Sequence, residues 1–396
     1  MQSKIRHMWN AGTPNPNKKG AGFPILENAT HTPIFQPDRE AGAYNHHSRL
    51  TIRNGIFHAM WSNHTHGEDG PGQRVLYATS ETGADWSEPV PLFPAPQEMI
   101  ESEKKGIVLT AFKWVSLGDR LFAVVGCHEN IGFSNFDQTE FSPVRDKQHP
   151  SRARKGYSLL ACEVRDDGRQ GPIFAVWEDR NEAIEYEVLP YNNPEIADQA
   201  KQLRDILTSP MGMPAWDFRG NLEFPKAYDG HRLCEPTVYR AKDGTVMMLL
   251  RDTHYSHRMY LSTLQDDGAW SPGVPTDIPD SPSLTDSLAL DDGTVLLIGN
   301  QMAPKFDNPD KDHYNRDPLV VSVSPDGKIF ERAYALRCGG HEYRVSQSHV
   351  KGRGGGAQYP SAAIGNGTLY VQYSMGKEDI WISSVPLADI LAKPFD

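Results

Sequence analysis

The chain alternates short apolar runs with Gly-containing turns. Cys234-Glu235-Pro236-Thr237-Val238 leads through Asp243-Gly244-Thr245 into the apolar run Val246–Arg251. Gln358–Ala362 precedes Gly367-Thr368-Leu369-Tyr370-Val371, and His46–Leu50 precedes Gly55–Trp61, in the same strand–turn–strand order. His47 precedes Gly55 by the interval at which Tyr359 precedes Gly367. A third run extends the unit at Arg74–Ser80, Arg258–Thr263 and Val320–Ser324, each ending in a Gly turn with an aromatic residue just beyond it: Gly83/Trp86, Gly268/Trp270 and Gly327/Phe330. A unit recurring every several tens of residues is one supersecondary element used several times.

Repeated strands of this kind predict an all-β fold, a single β-propeller. Radial repetition protects sheet edges and leaves a central funnel for a ligand. The spacing predicts six blades, at about 44–93, 109–179, 182–228, 233–279, 283–337 and 359–388, the last completed by a strand at 32–36. A seventh blade fits only in the long 179–232 segment. One helical insertion is expected near 194–208, where Ile196, Ala200, Leu203 and Ile206/Leu207 recur at helical spacing. No linker or second domain interrupts the repeat.

Composition narrows the function. The chain has 396 residues, with Gly 34 and Pro 30 punctuating the strands, and a formal net charge of −11. That charge disfavours nucleic acid and anionic membranes as partners. No apolar run is long enough to span a bilayer, and no apolar signal core opens the chain. Cys127, Cys162, Cys234 and Cys338 are scattered, so reduced thiols and a cytoplasmic location are expected, or a secreted one if a leader has been removed. The oligomeric state is not legible.

The third-strand turns resemble degenerate Asp-boxes, the Ser-x-Asp-x-Gly-x-x-Trp hairpins of the sialidase superfamily, over about residues 44–388. That resemblance implies a pocket lined from the starts of the innermost strands. Glu235 and Arg251 match its Glu and Arg positions, Arg316 in Asn-Arg-Asp-Pro-Leu its next Arg, and Tyr359 its Tyr. An arginine pair holds a carboxylate by charge-assisted bonds. A carboxylate such as Glu235 can activate the weakly acidic Tyr359. The resemblance places the acid at Asp69 or Glu68. Where these enzymes open their first blade with an Arg, this chain has Asn45-His46-His47-Ser48, so the three-Arg clamp is incomplete and a conventional sialic acid is not the expected substrate.

His46, His47, His64, His66 and His128 gather on the first two blades. The His46/His66 spacing is similar to that of propeller-fold ulvan lyases. Those enzymes and rhamnose–glucuronate lyases eliminate across a uronic acid with His and Tyr; a related propeller rhamnosidase relies on a His. Adjacent strand residues point oppositely, so one of His46 and His47 is expected to face inward. Arg258 is a further candidate for substrate binding.

The bland readings stand beside these. Arg251 and Arg316 suit surface ion pairs, Tyr359 suits a packed aromatic, and His64–Asp69 suits a solvated loop. Trp61, Trp86 and Trp270 read as core. No cofactor is required. His64, His66, Glu68 and Asp69 mix nitrogen and oxygen donors that a Ca or Zn ion could use, but in no recognised zinc spacing. Gly352–Gly356 reads as a loop beside the funnel. The expected function is exo-cleavage of a terminal sugar from an acidic oligosaccharide. A uronate lyase and a non-catalytic glycan- or protein-binding propeller are the alternatives.

Overall fold

A computed structural model of the chain describes residues 5–38, 42–65, 67–68, 72–95, 105–131, 154–176, 188–212, 225–302, 315–345 and 355–392. Strand β1 (Thr30–Phe35) opens the ladder order. It is followed by β2 (Tyr44–Arg53), β3 (Ile56–His64), β4 (Arg74–Ser80) and β5 (Val90–Phe93), which form one antiparallel sheet. The second sheet is β6 (Lys105–Leu117), β7 (Arg120–Ile131), β8 (Arg154–Val164) and β9 (Phe174–Ala175). Helix α1 (Ala197–Thr208) comes next. Then come β10 (Leu233–Arg240), β11 (Val246–Asp252), β12 (Arg258–Thr263) and β13 (Val274–Pro279), and β14 (Asp286–Ala289), β15 (Val295–Gly299), β16 (Leu319–Ser324) and β17 (Arg332–Arg337). The last sheet holds β18 (Ala357–Gly365), β19 (Thr368–Met375) and β20 (Asp379–Pro386), and β1 pairs with β20 to complete it. The first and last parts of the chain thus share one sheet, as the 32–36 strand predicted.

The innermost strands pack side by side in the order β6, β2, β18, β14, β10. Each interface between sheets is a separate apolar cluster. Met60, Val75 and Phe93 meet Leu109 and Val125; Tyr239, Leu249 and Leu261 meet Leu297 and Phe330; Ile298 and Val321 meet Val371 and Tyr373. The Gly turns behave as the sequence implies. Gly83 has φ 76°, Ser80 Oγ accepts the Gly83 N–H at 2.8 Å, and Trp86 Nε1 donates back to the Gly83 carbonyl at 3.2 Å. At the equivalent turn, Asp326 Oδ1 accepts the Lys328 N–H at 2.7 Å and Phe330 is fully buried.

The blade count differs from expectation. The described residues form five four-stranded sheets, not six or seven. No sheet is found in the described parts of 182–228; residues 177–187 and 213–224 lie outside the described residues. The arc between β6 and β10 holds α1 and a short 3-10 turn at Pro210–Gly212. Ile196, Ala200, Leu203 and Leu207 pack on Phe122, Val124, Leu159 and Phe174, covering the face of the second sheet. One amphipathic helix thus covers that face of the second sheet among the described residues. None of the four cysteines is in a disulfide, and no described helix is long and apolar enough to cross a membrane.

Trp61 is the largest fully buried side chain among the described residues, and its Nε1 donates to Asn45 Oδ1 at 3.0 Å. Trp61→Ala should lower stability by about 3–5 kcal/mol, through lost burial and the cavity left behind. Urea denaturation checks this.

Candidate active site

Three innermost strands break their ladders in the same way. Pairing jumps from His46 to Arg49 in β2, from Cys234 to Thr237 in β10 and from Gln358 to Ser361 in β18. Two residues of each strand, His47-Ser48, Glu235-Pro236 and Tyr359-Pro360, are thereby left bulged out of the ladder. The first of each pair lies in the left-handed region: His47 at φ 57°, Glu235 at 49° and Tyr359 at 54°. Such backbone costs a non-glycine residue about 1–3 kcal/mol and clusters at functional sites. Here it turns three reactive side chains out of their pleats and towards one another.

Tyr359 and Glu235 meet directly. The phenol donates to Glu235 Oε1 at 2.7 Å, and Arg251 Nη1 donates to Glu235 Oε2 at 2.7 Å and to the Tyr359 oxygen at 3.1 Å. Burial pushes the Tyr359 pKa upward, and the Glu235 charge pushes it further against Arg251 and Arg316. Burial works against the Arg251 charge, but Glu235 and Tyr359 outweigh it and hold the guanidinium protonated. The phenol therefore stays neutral until something takes its proton, and Glu235 is in hydrogen-bonding contact with it.

Arg316 approaches from the other side. Its guanidinium carbon lies 5.4 Å from the Tyr359 ring centroid, Nη1 bonds Gln358 Oε1, and Nη2 donates to the Pro282 carbonyl at 2.9 Å. The His46 ring stands 4.1 Å from the Tyr359 ring, centroid to centroid, and the His47 ring 5.6 Å from it. Strand alternation predicted that at least one would face inward. Both reach Tyr359, because the left-handed His47 interrupts the alternation. His47 Nδ1 pairs with Ser62 Oγ at 3.1 Å, and its Nε2 is 3.7 Å from Glu68 Oε1. Lys377 Nζ donates to Glu68 Oε2 at 2.7 Å and lies 6.0 Å from the Tyr359 ring centroid.

Glu235, Arg251, Arg316, Tyr359, His46 and His47 are thus one connected cluster, with Glu68 at its rim. His64 is buried at the end of β3 and its Nδ1 accepts the Gly67 N–H at 3.1 Å, so it tethers the following loop and is not solvated. Arg258 opens β12 and pairs across to Pro279, with no contact to the cluster that we find among the described residues. His66 and Asp69 lie outside the described residues, as do Gly352–Gly354, and His128 lies on β7. His46, His47 and Glu68 offer ligand atoms within 4.8 Å of one another, as do His231, Asp252 and His254, and His341, Glu378 and Asp379. The Lys377 ammonium already occupies one Glu68 oxygen. Arg344 donates to Asp379, and His231 to Asp252, so internal partners satisfy much of the other two groups.

Sequence reasoning missed Lys377. It sits at φ 61° beside Gly376 at the β19–β20 turn, where its carbonyl accepts the Asn45 N–H at 2.8 Å. A Gly-led turn on the Tyr359 sheet was the only available signal.

Residues 203–371 match the BNR repeat-like domain, and residues 28–217 match the BT_1020-like N-terminal beta propeller. Each match covers less than half of the chain, and the fold as a whole is a β-propeller similar to that of solved sialidases. A solved sialidase superposes with a TM-score of 0.68 at 20% identity, covering 96% of this chain and 35% of the other. The Hadza microbial sialidase Hz136 gives 0.58 at 12% identity over 90% of this chain and 68% of that one, and Trypanosoma rangeli sialidase 0.51 at 11% over 93% and 59%. The chain thus spans about a third of the length of the first of these proteins, and at such identities the likeness is one of fold. No curated protein matches the sequence.

Glu235 and Arg251 form a nearly buried ion pair. Glu235→Gln should destabilise the protein by about 3–5 kcal/mol by stranding the arginine, whereas Glu235→Gln with Arg251→Met should recover most of that loss. Equilibrium denaturation of the two variants decides it.

Proposed function

We propose that this propeller is a glycoside hydrolase of sialidase-like type that removes a terminal carboxylate-bearing sugar from an acidic oligosaccharide. The observation that carries the reading is the Tyr359–Glu235–Arg251 triangle, with its 2.7 Å phenol-to-carboxylate bond. Arg251 and Arg316 hold the substrate carboxylate. Glu235 takes the Tyr359 proton as the phenol oxygen attacks the anomeric carbon. A neutral phenol suits this role because an anionic nucleophile would be repelled by the substrate's own carboxylate. A carboxyl on the loop after β3, Glu68 or its neighbour Asp69, protonates the leaving oxygen. Water then releases the sugar from Tyr359.

The absence of an arginine at the His47 position argues against efficient turnover of ordinary sialosides. One missing charge-assisted bond is worth about 1.5–3 kcal/mol, or roughly ten- to more than a hundredfold in affinity. The second reading, elimination across a uronic acid, draws support from the His46 and His47 rings packed against Tyr359. There His and Tyr would exchange the C5 proton and the leaving-group proton while an arginine neutralises the carboxylate.

A panel of uronic-acid and sialic-acid oligosaccharides separates these readings. New reducing ends without an unsaturated product mark hydrolysis, ultraviolet absorbance of an unsaturated uronate marks elimination, and neither product marks a binding propeller. On the cleaved substrate, Tyr359→Phe should lower kcat at least about a hundredfold with the fold intact, since only the reacting oxygen is removed. Sialyl-lactose turnover should remain poor; turnover like that of ordinary sialidases would refute the incomplete clamp.

A further inference from the structure

The segment Asp280–Thr285 crosses from β13 to β14 and is buried throughout. It reaches the site physically, because the Pro282 carbonyl accepts Arg316 Nη2 at 2.9 Å. At its head stands Asp280, 1% exposed, and neither of its carboxyl oxygens has a hydrogen-bond partner among the described residues. The neighbouring Ser281 and Ser283 hydroxyls are also buried without partners among the described residues, so neither is spent on the carboxyl. Only backbone groups anchor the residue: the Asp280 N–H donates to the His257 carbonyl at 3.1 Å, and the Ser281 N–H to the Asn300 carbonyl at 2.9 Å.

A buried carboxylate with no donor is strongly disfavoured and takes a proton instead. The charged groups around Asp280 are Arg251, Glu235, Arg316 and Asp252. Arg251 is already committed to Glu235 and Tyr359, and Arg316 to Gln358 and Pro282. Burial raises the Asp280 pKa to about 7, with Glu235 adding to the rise and Arg251 and Arg316 opposing it.

We infer that Asp280 is a positioning residue that couples carboxylate binding at the Arg251/Arg316 pair to the uptake of one proton. This rests on the carboxylate-binding reading above. With Asp280 ionised, the two arginines already face two anions, Glu235 and Asp280. A substrate carboxylate would add a third to the same buried volume. Protonating Asp280 leaves the two arginines facing Glu235 and the substrate carboxylate, the remaining neighbour Asp252 being bonded by His231 at 2.9 Å. The proton comes from solvent and goes to a carboxyl oxygen of Asp280; no other bond changes. By linkage, affinity for the acidic ligand is greatest below the Asp280 pKa and falls as pH rises through it, approaching about tenfold per pH unit above it.

The same group shapes stability. Its folded pKa is raised above the unfolded value of 3.8. From about pH 4 to about pH 7 the folded state holds a proton that the unfolded chain has lost, so this contribution to stability declines as pH rises through that window. Asp280→Asn keeps the shape and removes the titration.

The test is calorimetric titration of wild type and Asp280→Asn with D-glucuronate and N-acetylneuraminate, at pH 5.5 to 8.5, in two buffers of different ionisation enthalpy. Wild type should take up close to one proton per ligand at pH 8 and lose affinity with pH; Asp280→Asn should take up none and show a flat profile. In thermal melts Asp280→Asn should be more stable than wild type at pH 8, with the difference shrinking towards pH 5. Equal proton uptake by both proteins, or an Asp280→Asn variant less stable at pH 8, overturns the inference and leaves the carboxylate reading standing. Failure of wild type to bind either acid overturns both. Arg251→Met should abolish binding; if it does not, the clamp assignment fails and the inference with it.

Discussion

The site depends on one backbone device, the left-handed bulge at the start of an innermost strand. Regular pleating would alternate side chains between the two faces of each sheet and send neighbours into different inter-sheet cores. By giving up a ladder pairing at His47, Glu235 and Tyr359, three strands turn one side chain each into the shared funnel. The strain is held by the packed sheets behind it. Trp61, Leu250 and Tyr373, on the partner strands between the flanking ladder pairs, are each essentially inaccessible. Rigid inner packing is what makes the strained positions tolerable, and the strained positions are what make a site.

That geometry concentrates charge where water is scarce. Arg251, Arg316 and Lys377 contribute cations, and Glu235, Glu68 and Asp280 contribute carboxyls, all from different elements. Direct partners settle most of them: Arg251 with Glu235, Lys377 with Glu68, Arg316 with Gln358 and Pro282. Deeper in the ring Arg49 bonds the Phe112 carbonyl and has its pKa lowered to about 10, chiefly by burial. Of these charged groups Asp280 is the one whose carboxyl has no hydrogen-bond partner among the described residues, and burial makes it the one least able to stay charged.

The arc between β6 and β10 shows how flexible the ring recipe is. Each sheet needs its faces covered, and the cover need not be another sheet. Helix α1 and its N-cap Ile196 lay Ala200, Leu203, Leu207 and Ile196 along one stripe on the β6–β9 sheet. The N-terminal arm does something similar on the outer rim, where Met8 and Trp9 join the core beside Phe330, and Arg6 and Trp9 form parallel bridges to Thr276 and Phe330.

The repeat of apolar runs and Gly turns determined the all-β fold, its radial repetition and its closure by β1, because those features follow from local periodicity and turn chemistry. The helix at 197–208 was legible for the same reason. The matching interval from His47 to Gly55 and from Tyr359 to Gly367 already put those residues at equivalent strand starts, and the structure shows that equivalence as a common bulge. The number of sheets was not legible, since a stretch of chain between repeats can cover a sheet with either a helix or strands. Nor was the orientation of His46 beside His47, because strand alternation fails wherever φ turns positive. Lys377 and Asp280 were invisible as well. Each lies in a short polar turn of ordinary composition, and only the closing of the ring brings one to Glu68 and the other beside Arg251, where burial decides how a charge must behave.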